Sequence, residues 1–421
     1  MKIDIEKYMT FDMSKLFIIE KRRIAYVLFL LAIFIVFFGS LNAWFTMPLT
    51  NYYPVLASFF AMTSYGISRT LQTPIFKEGY WLQPVAAFIL ISFYLAINNT
   101  LNINAYIKAL FSAMMLYFIF RCDKKLIERL MKDIARILGG ILLVSFPFFF
   151  LYTTGFPLPH VEMDFNDGFY FFSNYFLFLI DDRFLFTLIP RFQSVFLEPA
   201  YLGSTCALLL MTQRGKWKRW YNVSLLVGLL LSFSLAGYVY LTVIIFLNLW
   251  TERKKIIAKA MAVILLISII IGGSFIYNEG DNMLHNLIVL RMEVDDGDIV
   301  GNDRVTENFD TEYNDFLQSA DIMFGREYDY SNFGDSGYKV FFYDYGLIGV
   351  FLLLTFYIVA FARYRDFRSW LSAFTILFLI FVVDAFVLWF GRFLPLYATA
   401  MHSLLTTTEQ KEKRNEKEHP Y

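Results

Sequence analysis

The chain has 421 residues, of which 57% are hydrophobic, 20% aromatic and 18% charged, and its 37 Lys and Arg balance 37 Asp and Glu. So much apolar matter excludes a disordered chain, and so few charges exclude an ordinary soluble globule. Zero net charge leaves no electrostatic footprint for nucleic acid, and two cysteines, Cys122 and Cys206, make neither a disulfide framework nor a Cys-rich metal site. The composition predicts a polytopic membrane protein.

A spanning helix needs ~20 mostly apolar residues. Candidate spans fall at 24–41, 51–67, 80–97, 103–120, 134–153, 195–212, 220–234, 236–250, 256–276, 339–360, 370–389 and 391–405. The expected fold class is therefore all-α, with about 12 spans in a single integral membrane domain over residues 1–421. The seventh and eighth spans share one apolar run, Tyr221 to Trp250, interrupted by Ser232, Ser234 and Gly237. A tight hairpin is the reading here. One long tilted helix is the alternative, and it would invert everything downstream.

Charge distribution favours the hairpin. With twelve spans, both termini and the segments 68–79, 121–133, 213–219, 251–259 and 363–369 face the cytoplasm. Of the 37 Lys and Arg, 28 fall there, which is the positive-inside pattern. An odd span between 213–219 and 251–259 would put one basic cluster outside. The first apolar segment lacks a small-residue cleavage site and is read as a retained signal-anchor. No internal repeat suggests transporter-like inverted halves.

Two long segments are left outside. The first, 154–194, has apolar patches too short to span, divided by Asp181, Asp182 and Arg183, and is expected to form interfacial helices. The second, 277–338, sets fifteen acids against Arg291, Arg304 and Arg326, with aromatics interspersed. An ordered, partly helical loop is expected. The bases that fall outside the cytoplasmic segments are Lys108, Arg136, Arg183, Arg191, Arg291, Arg304, Arg326, Lys339 and Arg392. An Arg near a low-dielectric region is costly unless paired, and its planar fork suits phosphate oxygens. The alternative for each is ion pairing with the abundant acids.

One segment stands out: Arg191, then Phe196, Leu197, Glu198, Pro199 and Gly203. Pro199 suits the first turn of a helix, which places Glu198 near the N-cap, where the helix end favours anions. A plain helix cap beside a surface Arg is the simpler alternative.

This segment resembles the Arg…Glu-Pro element of Wzy-type O-antigen polymerases, within the O-antigen ligase-like superfamily. A second block follows in the family's order: Arg304, then Ala320 to Gly325 with its Phe-Gly turn, then Asp335, Ser336, Gly337 and Tyr338, then Tyr345, Gly346 and Gly349. The Leu231 to Gly237 hairpin also matches a family position, although the Arg common at its tip is missing here. Related ligases carry a His after the Phe-Gly turn. This chain has Asp335 and Ser336 there, and none of His160, His285, His402 and His419. That departure favours polymerase over ligase.

The resemblance implies a membrane architecture like that of the GT-C-type ligases and polymerases, in the bacterial inner membrane with the active site on the periplasmic face. It implies transfer of a growing glycan from undecaprenyl diphosphate to a new lipid-linked repeat unit. The candidate catalytic residues are Arg191 and Arg304 as diphosphate clamps and Glu198 or Asp335 as base or Arg-orienting group. Arg291, Ser336 and Tyr338 are candidate substrate-binding residues. No metal or other cofactor is expected, since no metal-ligand spacing occurs. The expected partners are the undecaprenyl-diphosphate-linked oligosaccharide and membrane lipid, and a chain-length regulator stays open. A lipid-linked oligosaccharide flippase, an O-antigen ligase and a membrane scaffold are the competing readings.

Overall fold

The computed structural model describes residues 13–71, 74–76, 81–98, 103–122, 124–165, 170–181, 190–213, 216–252, 256–282, 284–292, 294–295, 298–299, 306–328, 337–361, 367–383 and 394. Helices dominate them. They are α1 (Met13–Ser40), α2 (Tyr53–Arg69), α3 (Leu82–Asn98), α4 (Ile103–Phe120), α5 (Lys124–Thr153) and α6 (Pro199–Thr212). Then come α7 (Trp220–Leu231), α8 (Leu235–Glu252), α9 (Ile256–Ile276), α10 (Glu307–Leu317), α11 (Gly337–Phe361) and α12 (Phe367–Val383). Eleven of the candidate spans fall on these helices; the twelfth, 391–405, lies outside the described residues apart from Leu394.

Among the described residues four stretches are long and apolar enough to cross a membrane: Glu20–Ser40, Lys125–Thr153, Ile257–Gly280 and Gly337–Ala360. Six shorter apolar helices accompany them. The chain is thus mostly helical, with the apolar helices of a membrane protein. The run from Tyr221 to Trp250 is two helices, because α7 stops at Leu231 and α8 starts at Leu235. Phe233 between them has φ 44°, which no continuous helix contains. Ser234 starts α8 by accepting the Gly237 N–H at 3.2 Å, an N-cap bond.

The all-α expectation needs correction in the first long segment. The described residues of 154–194 hold strands where interfacial helices were expected: β1 (Val161–Phe165), β2 (Tyr170–Asn174) and β3 (Leu179–Asp181) form an antiparallel sheet in that order, and residues 166–169 and 182–189 lie outside the described residues. Its Phe and Tyr residues suit a strand as well as an interfacial helix. Between β2 and β3 the Asn174 side chain accepts from the Phe176 N–H (2.8 Å), the geometry of an Asx turn. Phe172 and Leu179 then bury against Leu197, Trp44 and Met47, so the sheet is fixed to the chain leading into α6. A second pair, β4 (Val294–Asp295) and β5 (Asp298–Ile299), lies in the other long segment. That segment is partly helical as expected, through α10 and several short turns.

Packing runs in a chain of neighbours. α1 lies on α2, α2 on α4, α4 on α3 and α3 on α11; α11 meets α12, α12 meets α8, α8 meets α6, and α6 and α5 both meet α7. Asp133 clasps α5 to α1 by accepting from the Tyr26 hydroxyl (2.6 Å) while pairing with Arg136 (3.1 Å). α9 stands apart: 6% of its apolar window is buried, against 44–61% for the other three long helices. Lipid tails solvate such a helix as well as other side chains do, so this exposure carries no penalty in a bilayer.

Candidate functional site

Two joints hold the residues that the sequence singles out. The first gathers the segment before α6 and the turn between α7 and α8. Residues 192–196 form a buried strap whose backbone bonds to several other segments. Phe192 N–H donates to Leu231 O (3.1 Å), Leu179 N–H to Ser194 O (2.9 Å) and Trp44 N–H to Val195 O (2.9 Å). Arg191 opens the strap. Its Nε donates to Ser232 O (3.2 Å) and its Nη2 to Phe233 O (3.0 Å). Ser232 is the C-cap of α7, where carbonyls lack helical partners and carry partial negative charge. A guanidinium fork satisfies two of them at once.

Beneath the turn, α6 and α8 cross with almost no side chain between them. A Cβ on Gly203 would lie 2.7 Å from Ser234 Cβ, and one on Gly237 would lie 2.9 Å from the Gly203 backbone. Glu198 takes the N-cap position of α6 with extended backbone (φ −134°, ψ 141°) and Pro199 follows at the first turn, as the sequence predicts. The Glu198 carboxylate does not cap its own helix; the cap is made by backbone alone, with Glu198 O accepting from Tyr201 N–H (3.1 Å). Two polar side chains of the strap are buried without hydrogen-bond partners, Gln193 at Nε2 and Ser194 at Oγ. Ser194 also has φ 50°, unusual for a residue with a side chain. Strain and orphaned polar atoms collect at functional places more often than elsewhere.

The second joint ties the Phe-Gly turn to α11. At Gly346 the backbone of α11 leaves the helical region (φ 62°, ψ −168°), a conformation essentially open to Gly alone. The Gly-x-x-Gly element thus marks a break within α11 and not its start, which is at Gly337. Gly325 (φ 95°) fits into the break. A Cβ there would run into Asp344 O, and one on Gly346 would lie 2.6 Å from Gly325 N and Met323 O. Tyr94 of α3 reaches in, its hydroxyl lying 2.9 Å from Tyr345 O and 3.1 Å from Phe324 O. One O–H therefore serves a carbonyl from each side of the joint.

An aromatic stripe on α10 holds the loop against this joint. Phe309 and Phe316 are fully buried and pack with Tyr313, Tyr328, Phe342 and Tyr343. Arg326 N–H donates to Tyr343 O (2.7 Å). Its guanidinium pairs with Asp321 (2.7 Å), Asp315 (3.1 Å) and Glu312 (3.7 Å). The hydrogen bonds that Arg326 donates to Asp321 and Asp315 push its pKa up from an already high value, so its charge is permanent. Lys339 likewise pairs with Asp310 (3.7 Å). For Arg326, Lys339 and Arg136 the ion-pair alternative is the observed one.

The remaining candidates fall as follows. Tyr338 lies in the first turn of α11 and acts electrostatically on Tyr313, whose phenol burial pushes up to about 12. Arg291 is half-buried in a short turn, Leu290–Met292, that follows a π-helical turn at His285–Val289. That region caps the end of α9, with Phe275 edge-on to His285 and Asn282 donating to Ser274 O (2.6 Å). Arg291 thus lies in a turn beside the α9 cap. Arg304, Asp335 and Ser336 lie outside the described residues, as do Arg183 and Arg392.

Sequence reasoning missed Tyr94 and Asp344. Nothing in the α3 sequence separates Tyr94 from the other aromatics. Asp344 did carry a signal, as a lone acid inside an apolar helix. Compared with protein-family models, with curated proteins and with solved structures, the chain matches none.

Proposed function

We propose that the protein is a membrane glycosyltransferase that polymerises undecaprenyl-diphosphate-linked repeat units into O-antigen or a similar surface glycan, on the outer face of the bacterial inner membrane. One observation carries this reading: the guanidinium of Arg191 is bonded to the carbonyls of the 232–234 turn. In the family that this chain resembles, an Arg stands at that turn in the sequence. Here the turn has none, and Arg191, from the Arg…Glu-Pro element, brings the charge to it. The two elements of the resemblance thus meet through a side chain.

The reaction requires two services. The acceptor hydroxyl loses its proton as its oxygen bonds to the anomeric carbon, and the bond from that carbon to the diphosphate breaks, leaving its electron pair on the diphosphate. Fixed cations in a water-poor site stabilise the leaving charge, and a carboxylate takes the proton. Arg191 both carries charge to the turn and fixes its backbone. Arg304 is the second clamp and Arg291 a weaker third. Glu198, at the mouth of α6, and Asp335 are the two candidates for the proton; Ser336 and Tyr338 complete the substrate contacts.

The test uses a strain lacking its own polymerase. Arg191→Ala and Arg304→Ala, each shown to insert in the membrane, should abolish long-chain ladders. Normal ladders from both variants overturn the clamp assignment. Purified protein given only lipid-linked repeat units should make polymer, which neither a ligase nor a flippase would do.

A further inference from the structure

A charged residue type buried in an apolar helix demands a reason, and Asp344 is 3% exposed within α11. Its carboxyl group accepts from the Tyr328 backbone N–H and lies in hydrogen-bond contact with the Tyr345 side chain. The second oxygen, Oδ2, is buried without a hydrogen-bond partner. The nearest basic groups along the chain pair elsewhere: Lys339 with Asp310, and Arg326 with Asp321, Asp315 and Glu312. The charge that acts on Asp344 is that of Glu327, of the same sign. Among the described residues no cation pairs with it.

The surrounding contacts explain the position. Residues 324–328 lie along residues 343–346 like the two sides of a zipper. Arg326 N–H joins Tyr343 O, Gly325 seats against Asp344 O, and Tyr94 bridges Phe324 O and Tyr345 O. Those three fastenings use backbone carbonyls, which any residue would supply. The fourth, at Tyr328, lies farther along this antiparallel run, away from the break at Gly346, and is met by a side chain. Asp344 is that side chain. We propose that Asp344 is a positioning residue: its carboxyl oxygen fastens Tyr328 to the broken helix and so holds the acidic α10 loop on α11. The role needs an acceptor oxygen at that distance and does not need a negative charge. Its bearing on activity rests on the polymerase reading, in which the α10 loop helps bind the glycan.

The experiment compares Asp344→Asn with Asp344→Ala in the purified full chain, reading backbone hydrogen exchange across residues 324–328. Asn keeps the acceptor oxygen and puts its amide nitrogen where Oδ2 has no partner. Ala should raise exchange at Tyr328 about tenfold, the effect of losing one buried hydrogen bond, and Asn should stay near wild type. Asp344→Ser, too short to reach Tyr328, replaces Ala if the Ala variant is not recovered folded. Exchange in Asn matching that in Ala overturns the proposal, as does wild-type exchange in Ala. In the strain lacking a polymerase, Asn should restore ladders that Ala shortens. Lost ladders in Asn with the joint still protected overturn the claim that charge is dispensable. A wild-type chain that makes no ladder counts against the polymerase reading alone, because hydrogen exchange still decides the role of Asp344.

Discussion

The two joints solve the same problem, bringing backbone against backbone, by different means. At the first, Gly203 and Gly237 keep helical conformations, and glycine serves only to remove side chains from a crossing of α6 and α8. At the second, Gly325 and Gly346 also take positive φ, so glycine is needed for its conformation as well as for its size. The charged groups differ too. Arg191 serves free carbonyls at a helix end, whereas Arg326 is committed to three carboxylates. Three carboxylates around one guanidinium more than neutralise it. The first joint carries the functional reading because Arg191 of the Arg…Glu-Pro element meets the 232–234 turn there.

The comparison ranks substitutions. Gly346→Ala should be the most damaging, since it adds conformational strain to a backbone clash, about 4 kcal/mol together. Thermal unfolding of the purified protein in detergent measures it, and recovery equal to wild type would break the distinction between the joints. Gly237→Ala meets only the steric half, so about 2 kcal/mol is expected from the same measurement. Arg191→Lys keeps the charge but cannot span two carbonyls. It should cost ~1–2 kcal/mol and lower polymer yield, and wild-type ladders would show that charge at the turn matters more than its geometry. Tyr94→Phe removes one shared hydroxyl and should cost ~1 kcal/mol.

The smallest effect at neutral pH is that of Tyr313. Its phenol titrates near 10 in an unfolded chain and about 12 in the fold, because burial favours the neutral form. A raised value means that its contribution is complete below pH 10 and is lost as pH climbs from 10 towards 12. Ultraviolet titration of the wild type against Tyr313→Phe should show one phenol ionising in that upper window. Its ionisation at an ordinary pH would mean that the α10 stripe is not packed on α11 in solution.

Much of the helical plan was legible because hydropathy over ~20 residues is a local property. The break at Ser232 to Ser234 was legible too, from small polar residues inside an apolar run and from the basic clusters on either side. The first long segment misled. Apolar patches such as Phe169–Ile180 suit a helix on a membrane surface as well as a strand, and only the pocket formed by Leu197, Trp44 and Met47 decides for strand. At the site, Glu198 and Pro199 were readable as a helix start. The partner of Arg191 was not, because it is backbone 41 residues away and carbonyls leave no mark in a sequence.

The sequence alone determined that this chain is mostly helical with the apolar helices of a membrane protein, where those helices run, and which arginines are unusual. Composition and periodicity act residue by residue, so they survive without any knowledge of neighbours. The tertiary structure decided what the glycines are for, where Arg191 spends its hydrogen bonds, and that Asp344 fastens a loop. Each of these is a contact between segments far apart in the chain. It depends on the direction in which two backbones meet, and that direction is set only when the helices pack.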